Sequence, residues 1–227
     1  MTDDDFGSVC VLGAGRFGTA LALRLMDHAV STRVATRRAD AETPGLPGPL
    51  LERGAVRPTL EALDGADIVV LALPFQAAVN LAERFPGFAE GRIVVDATNP
   101  LTEEGDGIVL PPDTSGAVEI ARRIPYARLV KAFSTCTAED LASDGTGALN
   151  LVAADDEAAK QTVLRLSRHI GLAALDAGVL AHCGVLEGMA LLREEIRRRN
   201  PAAAAEAGAR RLTGALLPPG TRVEHPC

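Results

Sequence analysis

Short apolar runs alternate with longer stretches in which apolar residues recur at helical spacing, and the alternation continues through most of the chain. The runs at residues 8–12, 32–35, 67–73, 92–97, 127–133, 148–153 and 172–176 predict strands. Their β-branched, nearly uninterrupted apolar character suits strands covered on both faces. Between them, residues 17–27, 76–82, 116–124 and 157–170 predict helices. In the last, Asp155 or Asp156 can cap the N-terminus, and Val163, Leu164, Leu166 and Ile170 form the expected buried stripe. Residues 184–199 carry Val185, Leu186, Met189, Leu192 and Ile196 at helical spacing, trailed by Arg197, Arg198 and Arg199. Positive charge at a helix C-terminus is favourable, so that triplet reads as a solvated end. Strand–helix alternation at this length predicts an α/β fold with a doubly wound, mostly parallel sheet over residues 1–177. Residues 178–227 are expected to form a helical C-terminal segment and tail that covers an acceptor site and contacts a second subunit.

Composition narrows the class. The 227 residues include 23 Lys+Arg against 30 Asp+Glu, a net charge of −7, and 47% hydrophobic residues. That apolar content supports a core and excludes a disordered chain. An acidic balance argues against coating nucleic acid or anionic membrane, and with no Trp and only Tyr126 there is little for bases to stack on. No apolar run approaches the roughly 20 residues that span a bilayer. Residues 1–7 hold three acids and no secretory pattern, so a cytoplasmic protein is expected. Cys10, Cys136, Cys183 and Cys227 show no metal-ligand or dithiol spacing, and reduced thiols without a metal are expected.

The first strand leads into Gly13-Ala14-Gly15-Arg16-Phe17-Gly18, a Gly-x-Gly-x-x-Gly pattern that opens a helix carrying Leu21, Leu23 and Leu25. Gly13 permits the tight turn, Gly15 lets backbone approach a pyrophosphate, and Gly18 lets helix and strand pack closely. Free amides at the helix start then face the phosphates. The context is that of a Rossmann-type dinucleotide site. Where an acid would bind ribose hydroxyls, the second strand ends in Thr36-Arg37-Arg38. A hydroxyl followed by two guanidinium groups suits a 2′-phosphate, so NADP(H) is the expected cofactor.

Familiar catalytic machinery is missing. Tyr126 and Lys131 stand one position too far apart for a Tyr-x-x-x-Lys pair, and the four histidines have no triad-like or metal-like setting. Substrate is therefore expected in the crevice at the strand C-termini. There Leu73 and Pro74 would form an apolar ledge beside the cofactor, and Asn99 would bond the nicotinamide ribose or a substrate carbonyl in a loop stiffened by Pro100. Lys131 would either stabilise negative charge or form a structural ion pair, and Ser134 and Thr135 would donate hydrogen bonds. Asn99, Lys131 and Ser134 are thus the candidate catalytic residues.

The ordered set Val-Leu-Gly-Ala-Gly-Arg-Phe-Gly, Ala-Thr-Arg-Arg, Asp-Ala-Thr-Asn-Pro, Val-Lys-Ala-Phe-Ser-Thr, Leu175-Asp176-Ala177-Gly178 and Leu186-Glu187 resembles the NADPH-dependent coenzyme F-420 reductase family, over residues 8–195. The six-transmembrane metalloreductases carry a related domain. The resemblance implies reversible hydride transfer between NADP(H) and a deazaflavin coenzyme in a homodimer. It places NADP on Ala14, Gly15, Arg16, Phe17, Thr36, Arg37, Arg38, Leu73, Val79, Asn99, Pro100, Leu101 and Ala138. It lays the second ring against Pro74, Phe75, Ser134, Thr135 and the segment around His182. The chain departs from the family pattern at Ser134, where archaeal members that reduce the deazaflavin carry a His. An NADPH-dependent reductase of a small imine or carbonyl, and a non-catalytic NADP(H) sensor, are the alternative functions.

Overall fold

Successive residues of each central strand point to opposite sides of one sheet, and helices close both sides. The computed structural model describes residues 6–36, 48–143 and 148–201. Its strands are β1 (Val9–Leu12), β2 (Thr32–Thr36), β3 (Val56–Pro58), β4 (Ile68–Leu71), β5 (Ile93–Asp96), β6 (Arg128–Lys131), β7 (Leu149–Ala153) and β8 (Ala173–Gly178). The helices are α1 (Arg16–Asp27), α2 (Gly48–Glu52), α3 (Thr59–Leu63), α4 (Phe75–Arg84), α5 (Gly116–Arg123), α6 (Ala138–Ala142), α7 (Glu157–His169) and α8 (Cys183–Arg199). The strand order is β3-β2-β1-β4-β5-β6-β7-β8. Strands β1 to β6 run parallel, β7 is antiparallel to β6 through the single pair Lys131–Ala153, and β8 is parallel to β7. The order reverses between β1 and β4, which opens a crevice outside their C-terminal ends.

One core gathers Val9, Val11, Val34, Val70, Val95 and Val130 under α1, α2 and α7. The other gathers Cys10, Leu12, Val69, Leu71, Val94 and Leu129 under α3, α4, α5 and α8. This two-sided burial is what the uninterrupted apolar strands require. Asp156 caps α7 by accepting the Ala159 amide at 2.8 Å, whereas Asp155 accepts the Leu180 amide at 3.0 Å. The short elements β3, α2, α3 and α6 are not expected from periodicity, because three to five residues cannot display a period.

Helix α8 presents most of its apolar stripe to solvent. Its buried residues are Cys183, Leu186, Glu187 and Ala190, while Val185, Met189, Leu192 and Ile196 face outward. The rotation is explained by Glu187. Lys131 and Asp96, two residues beyond Leu129 and Val94, lie on the α8 side of the sheet. The Lys131 ammonium, wholly buried, sits 2.9 Å from Asp96 Oδ2 and 2.9 Å from Glu187 Oε1, and donates to the Thr98 carbonyl at 2.6 Å. Glu187 also accepts the α5 amides of Gly116 at 2.9 Å and Ala117 at 3.3 Å. Two carboxylates thus share one ammonium, and the positive end of α5 compensates the second. Arg197 pairs with Glu194, and Arg198 and Arg199 with Glu195, as a solvated helix end should.

Three outcomes are expected. Gly13 has φ of 120°, and a Cβ there would lie 2.3 Å from the Ala72 carbonyl oxygen. Gly13→Ala should therefore lower unfolding free energy by about 1–3 kcal/mol in urea titration. Lys131→Met strands two buried carboxylates and should cost about 3–5 kcal/mol by the same measurement. Burial pulls the Lys131 pKa down, but Asp96 and Glu187 outweigh it and the net direction is up from 10.5. The stabilisation by Lys131 is then complete below the ordinary lysine value and lost only as pH rises through the higher folded-state value. Wild-type unfolding free energy followed into the alkaline range should lose this contribution, and Lys131→Met should not.

Candidate active site

The turn from β1 into α1 is a cradle built by glycines. A Cβ on Gly18 would lie 2.0 Å from the Gly13 carbonyl oxygen and 3.2 Å from Ala72 Cβ, so α1 packs directly on the turn after β1 and on Ala72. Nothing lies within 4 Å of a Cβ built on Gly15. That open face lets an anion reach the start of α1, where no side chain caps the helix and the first turn holds no acid. The 12-residue helix therefore presents unshielded amides and its positive end. Ala14 and Phe17 are half-buried beside Gly15, and the exposed Arg16 is ion-paired with Glu139 of α6. Ala138 begins α6, which packs on α1. Thr36 ends β2 at the same edge, while Arg37 and Arg38 lie outside the described residues.

From the cradle a cavity of about 270 Å³ runs along the C-termini of β4 and β5. Leu73, Pro74, Phe75, Thr98 and Asn99 line it, together with the Gly15–Gly18 turn. Its far end is polar in an unusual way. Thr98 Oγ1 and Asn99 Oδ1 at that end, and Ser134 Oγ in the neighbouring turn after β6 and outside the cavity lining, are buried atoms with no protein partner. The Asn99 amide nitrogen donates to the Ser134 carbonyl at 3.0 Å, which brings the loops after β5 and β6 together. Buried polar groups are normally paired, so unpaired oxygens beside a cavity mark a place built to bond something else.

The remaining expected residues are spread around this centre. Pro100 is buried, and Leu101 forms a bridge with Ile108 in the same loop. Val79 packs into the core beneath α4 and does not line the cavity. The Thr135 hydroxyl donates to the Leu149 carbonyl at 3.1 Å. The exposed His182 ring bonds the Ala177 carbonyl at 2.8 Å. Lys131 is corrected as a substrate-contacting candidate: its side chain has 0% exposure and its ammonium is taken by Asp96, Glu187 and Thr98. It bears on this region indirectly, through the Thr98 backbone and through Glu187 of α8. The Thr98 amide is held at 2.9 Å by Asp96 Oδ1, so both polar ends of that residue are fixed.

Helix α8 crosses this region. Arg193 bonds the carbonyls of Thr135 and Cys136, and a Cβ on Gly105 would lie 3.6 Å from Glu194 Cγ. The helix thereby bridges the loops that follow β5 and β6. Thr98, Glu187 and Arg193 were not singled out from sequence as site residues. Asp96 and Lys131, opposite charges at the C-terminal ends of β5 and β6, are the available signal of a polar cluster there.

The chemistry on offer is narrow. Arg16 is the one titratable side chain lining the cavity among the described residues. Burial pushes the thiols of Cys10, Cys136 and Cys183 up to about 12, so none is a thiolate at neutral pH. The described residues contain no group of His, Cys, Asp and Glu able to hold a metal ion, and no helix long and apolar enough to cross a membrane. A larger hollow of about 500 Å³ opens at the opposite end of the sheet, lined by Pro86, Tyr126 and neighbours. Its Arg122 and Arg123 are ion-paired with Glu119, and it contains none of the unpaired buried oxygens, so the smaller cavity is the functional candidate.

Comparison with known proteins agrees with this geometry. Residues 8–100 match the family described as NADP oxidoreductase, coenzyme F420-dependent. The F420-dependent NADP reductase of Methanocaldococcus jannaschii is 31% identical over 192 residues, covering 78% of this chain and 86% of that protein. Metalloreductase STEAP3 of Rattus norvegicus is 30% identical over 81% of this chain, which spans only 36% of that longer protein. Among solved structures, a candidate F420-dependent NADP reductase from Arthrobacter sp. FB24 shares the fold. Its TM-score is 0.75 at 24% identity, over 85% of this chain and 94% of that one. With a full-length relative above 30% identity and a glycine cradle that fits a dinucleotide, the chain belongs to the coenzyme F420-dependent family of NADP oxidoreductases.

Proposed function

We propose that this protein transfers a hydride between NADP(H) and a deazaflavin coenzyme of the F-420 type. The observation that carries the reading is the cavity itself: a phosphate cradle at one end, the unpaired oxygens of Thr98 and Asn99 at the other with the unpaired Ser134 hydroxyl in the adjoining turn, and no side-chain acid or base between them among the described residues. Such a site can hold and align two rings, while the cofactors supply the hydride chemistry.

In this reading Gly13, Gly15, Gly18 and the start of α1 bind the pyrophosphate. Thr36, with Arg37 and Arg38, takes the 2′-phosphate. Leu73 and Pro74 form the apolar ledge under the nicotinamide. Thr98 Oγ1, Asn99 Oδ1 and Ser134 Oγ form a seat for its carboxamide. Asn99 Oδ1 can only accept, so it takes an amide N–H, and the two hydroxyls can donate to the amide oxygen. That donor–acceptor pattern is what a carboxamide presents. The acceptor ring lies on the open side towards Phe75, Thr135 and His182, beneath the C-terminal segment. The outward apolar stripe of α8, with Val185 67% and Leu192 60% exposed, supports a homodimer built on that face.

Anaerobic NADPH oxidation with and without coenzyme F-420 tests the reaction, after calorimetry has shown NADPH binding. Loss of NADPH absorbance only when the deazaflavin is present is expected. Tight NADPH binding without transfer would exclude the deazaflavin and leave an imine or carbonyl as the acceptor class to try. For the carboxamide seat, Thr98→Val should weaken NADPH about 3- to 10-fold and leave adenosine 2′,5′-bisphosphate, which has no nicotinamide, unaffected. Equal weakening of both ligands would refute the seat. Replacement of Val185 and Leu192 by Glu should convert a dimer to a monomer in sedimentation experiments.

A further inference from the structure

Ser134 sits in the turn that follows β6, and that turn begins with an unusual conformation. Phe133 has φ of 62°, a left-handed value that a bulky residue adopts only where its surroundings impose it. The imposing group is Asn150 of β7. Past the single Lys131–Ala153 pair the β6–β7 ladder stops, so the Phe133 amide has no strand carbonyl to meet. It donates instead to the Asn150 side-chain oxygen at 2.6 Å. The other end of that amide is fixed as well. Asn150 Nδ2 donates to Ser167 Oγ at 2.8 Å, and Ser167 Oγ donates to the Val163 carbonyl at 2.7 Å within α7. Both Asn150 and Ser167 have 0% exposure.

The rest of the turn is held too. The Phe133 carbonyl accepts the Cys136 amide at 3.0 Å, the Ser134 carbonyl accepts from Asn99, and the Thr135 carbonyl accepts from Arg193. The Ser134 hydroxyl, in a residue with 2% exposure, is the one side-chain polar atom of this turn without a protein partner. A turn in which the surrounding groups are tied down, and one buried hydroxyl is left unpaired, is arranged to present that hydroxyl.

We propose that Asn150 is a positioning residue that holds Phe133 left-handed and so aims the Ser134 hydroxyl at the nicotinamide carboxamide. The inference rests on the reading of Ser134 as part of the carboxamide seat. Asn suits the position because one planar side chain supplies an acceptor to Phe133 and a donor to Ser167 at once. Leucine has a similar shape and supplies neither, so without Asn150 the Phe133 amide is left buried and unpaired unless the turn reorganises.

The test is a double-mutant cycle on the full chain, read by calorimetry with NADPH and with adenosine 2′,5′-bisphosphate, and with thermal melting as a check on folding. Ser134→Ala should weaken NADPH about 3- to 10-fold and leave the bisphosphate unchanged. Asn150→Leu should weaken NADPH at least as much, again without affecting the bisphosphate. The double variant should be no weaker than Asn150→Leu alone, because both changes remove one interaction. If Ser134→Ala weakens NADPH and Asn150→Leu does not, the positioning role is wrong and the seat stands. If Ser134→Ala has no effect, the seat fails and the role of Asn150 fails with it. Additive losses, or equal losses for both ligands, would make Asn150 a purely structural residue. Should Asn150→Leu not fold, Ser167→Ala releases only the far end of the Asn150 amide. It should weaken NADPH about 2- to 3-fold, an effect absent when Ser134 is already Ala, and a full additive loss would again overturn the proposal.

Discussion

The Lys131 ammonium, closed off from solvent between Asp96 and Glu187, ties helix α8 and the loop after β5 to the paired ends of β5 and β6. A charge in such a place is stable only if its partners are also held, since each buried ion costs several kcal/mol to desolvate. Asp96 is held by the sheet and by the Thr98 amide, Glu187 by the first amides of α5, and Lys131 by its strand. The cluster therefore fixes the rotation of α8 about its axis. It also fixes the course of the loop after β5. The carboxylate acts together with the buried Cys183, Leu186 and Ala190, which share its face of α8, and the Val185–Met189–Leu192–Ile196 stripe is left outward.

The polar end of the cavity follows from the same constraint. Thr98 is gripped through its backbone by the charge cluster, which leaves its hydroxyl to be directed by geometry and not by any bond of its own. Asn99, next in the chain, uses its amide nitrogen on the Ser134 carbonyl and keeps its oxygen unpaired. Two loops from adjacent strands thus arrive with unsatisfied oxygens side by side. Arg193 and Glu194 of α8 reach the same two loops from above. A helix whose orientation is set by one buried ion pair therefore closes over the site that the pair has already shaped.

Much of the framework is legible in the chain because it rests on short-range rules. Both-face burial gives uninterrupted apolar strands, an amphipathic helix shows its period, and the Gly13, Gly15 and Gly18 positions admit no other residue without a clash or, at Gly15, without filling the anion path. β3 was invisible because its three residues, one of them Pro58, carry no alternation. Periodicity shows that α8 has an apolar face but not what that face meets. Lys131 looked equally suited to substrate and to an ion pair, since the deciding residue, Glu187, lies 56 positions away in sequence and meets it only in the folded chain. Thr98 stands within the Asp-Ala-Thr-Asn-Pro motif, but nothing in the motif marks its hydroxyl, and only its lack of a partner when buried makes it notable.

The oxygens of this site also bear on the departure from the family pattern at Ser134. A histidine at that point would bring a ring that can titrate near neutral pH and can reach across the cavity. A serine brings a short neutral hydroxyl, and a short group is useful only where its backbone is held still. The strained Phe133, the Asn150–Ser167 relay and the Arg193 contacts supply that stillness. The substitution of a long titratable side chain by a short one therefore moves the demand for precision from the side chain to the turn beneath it. In the proposed reading the left-handed residue and the buried asparagine belong to the active site as much as the serine does.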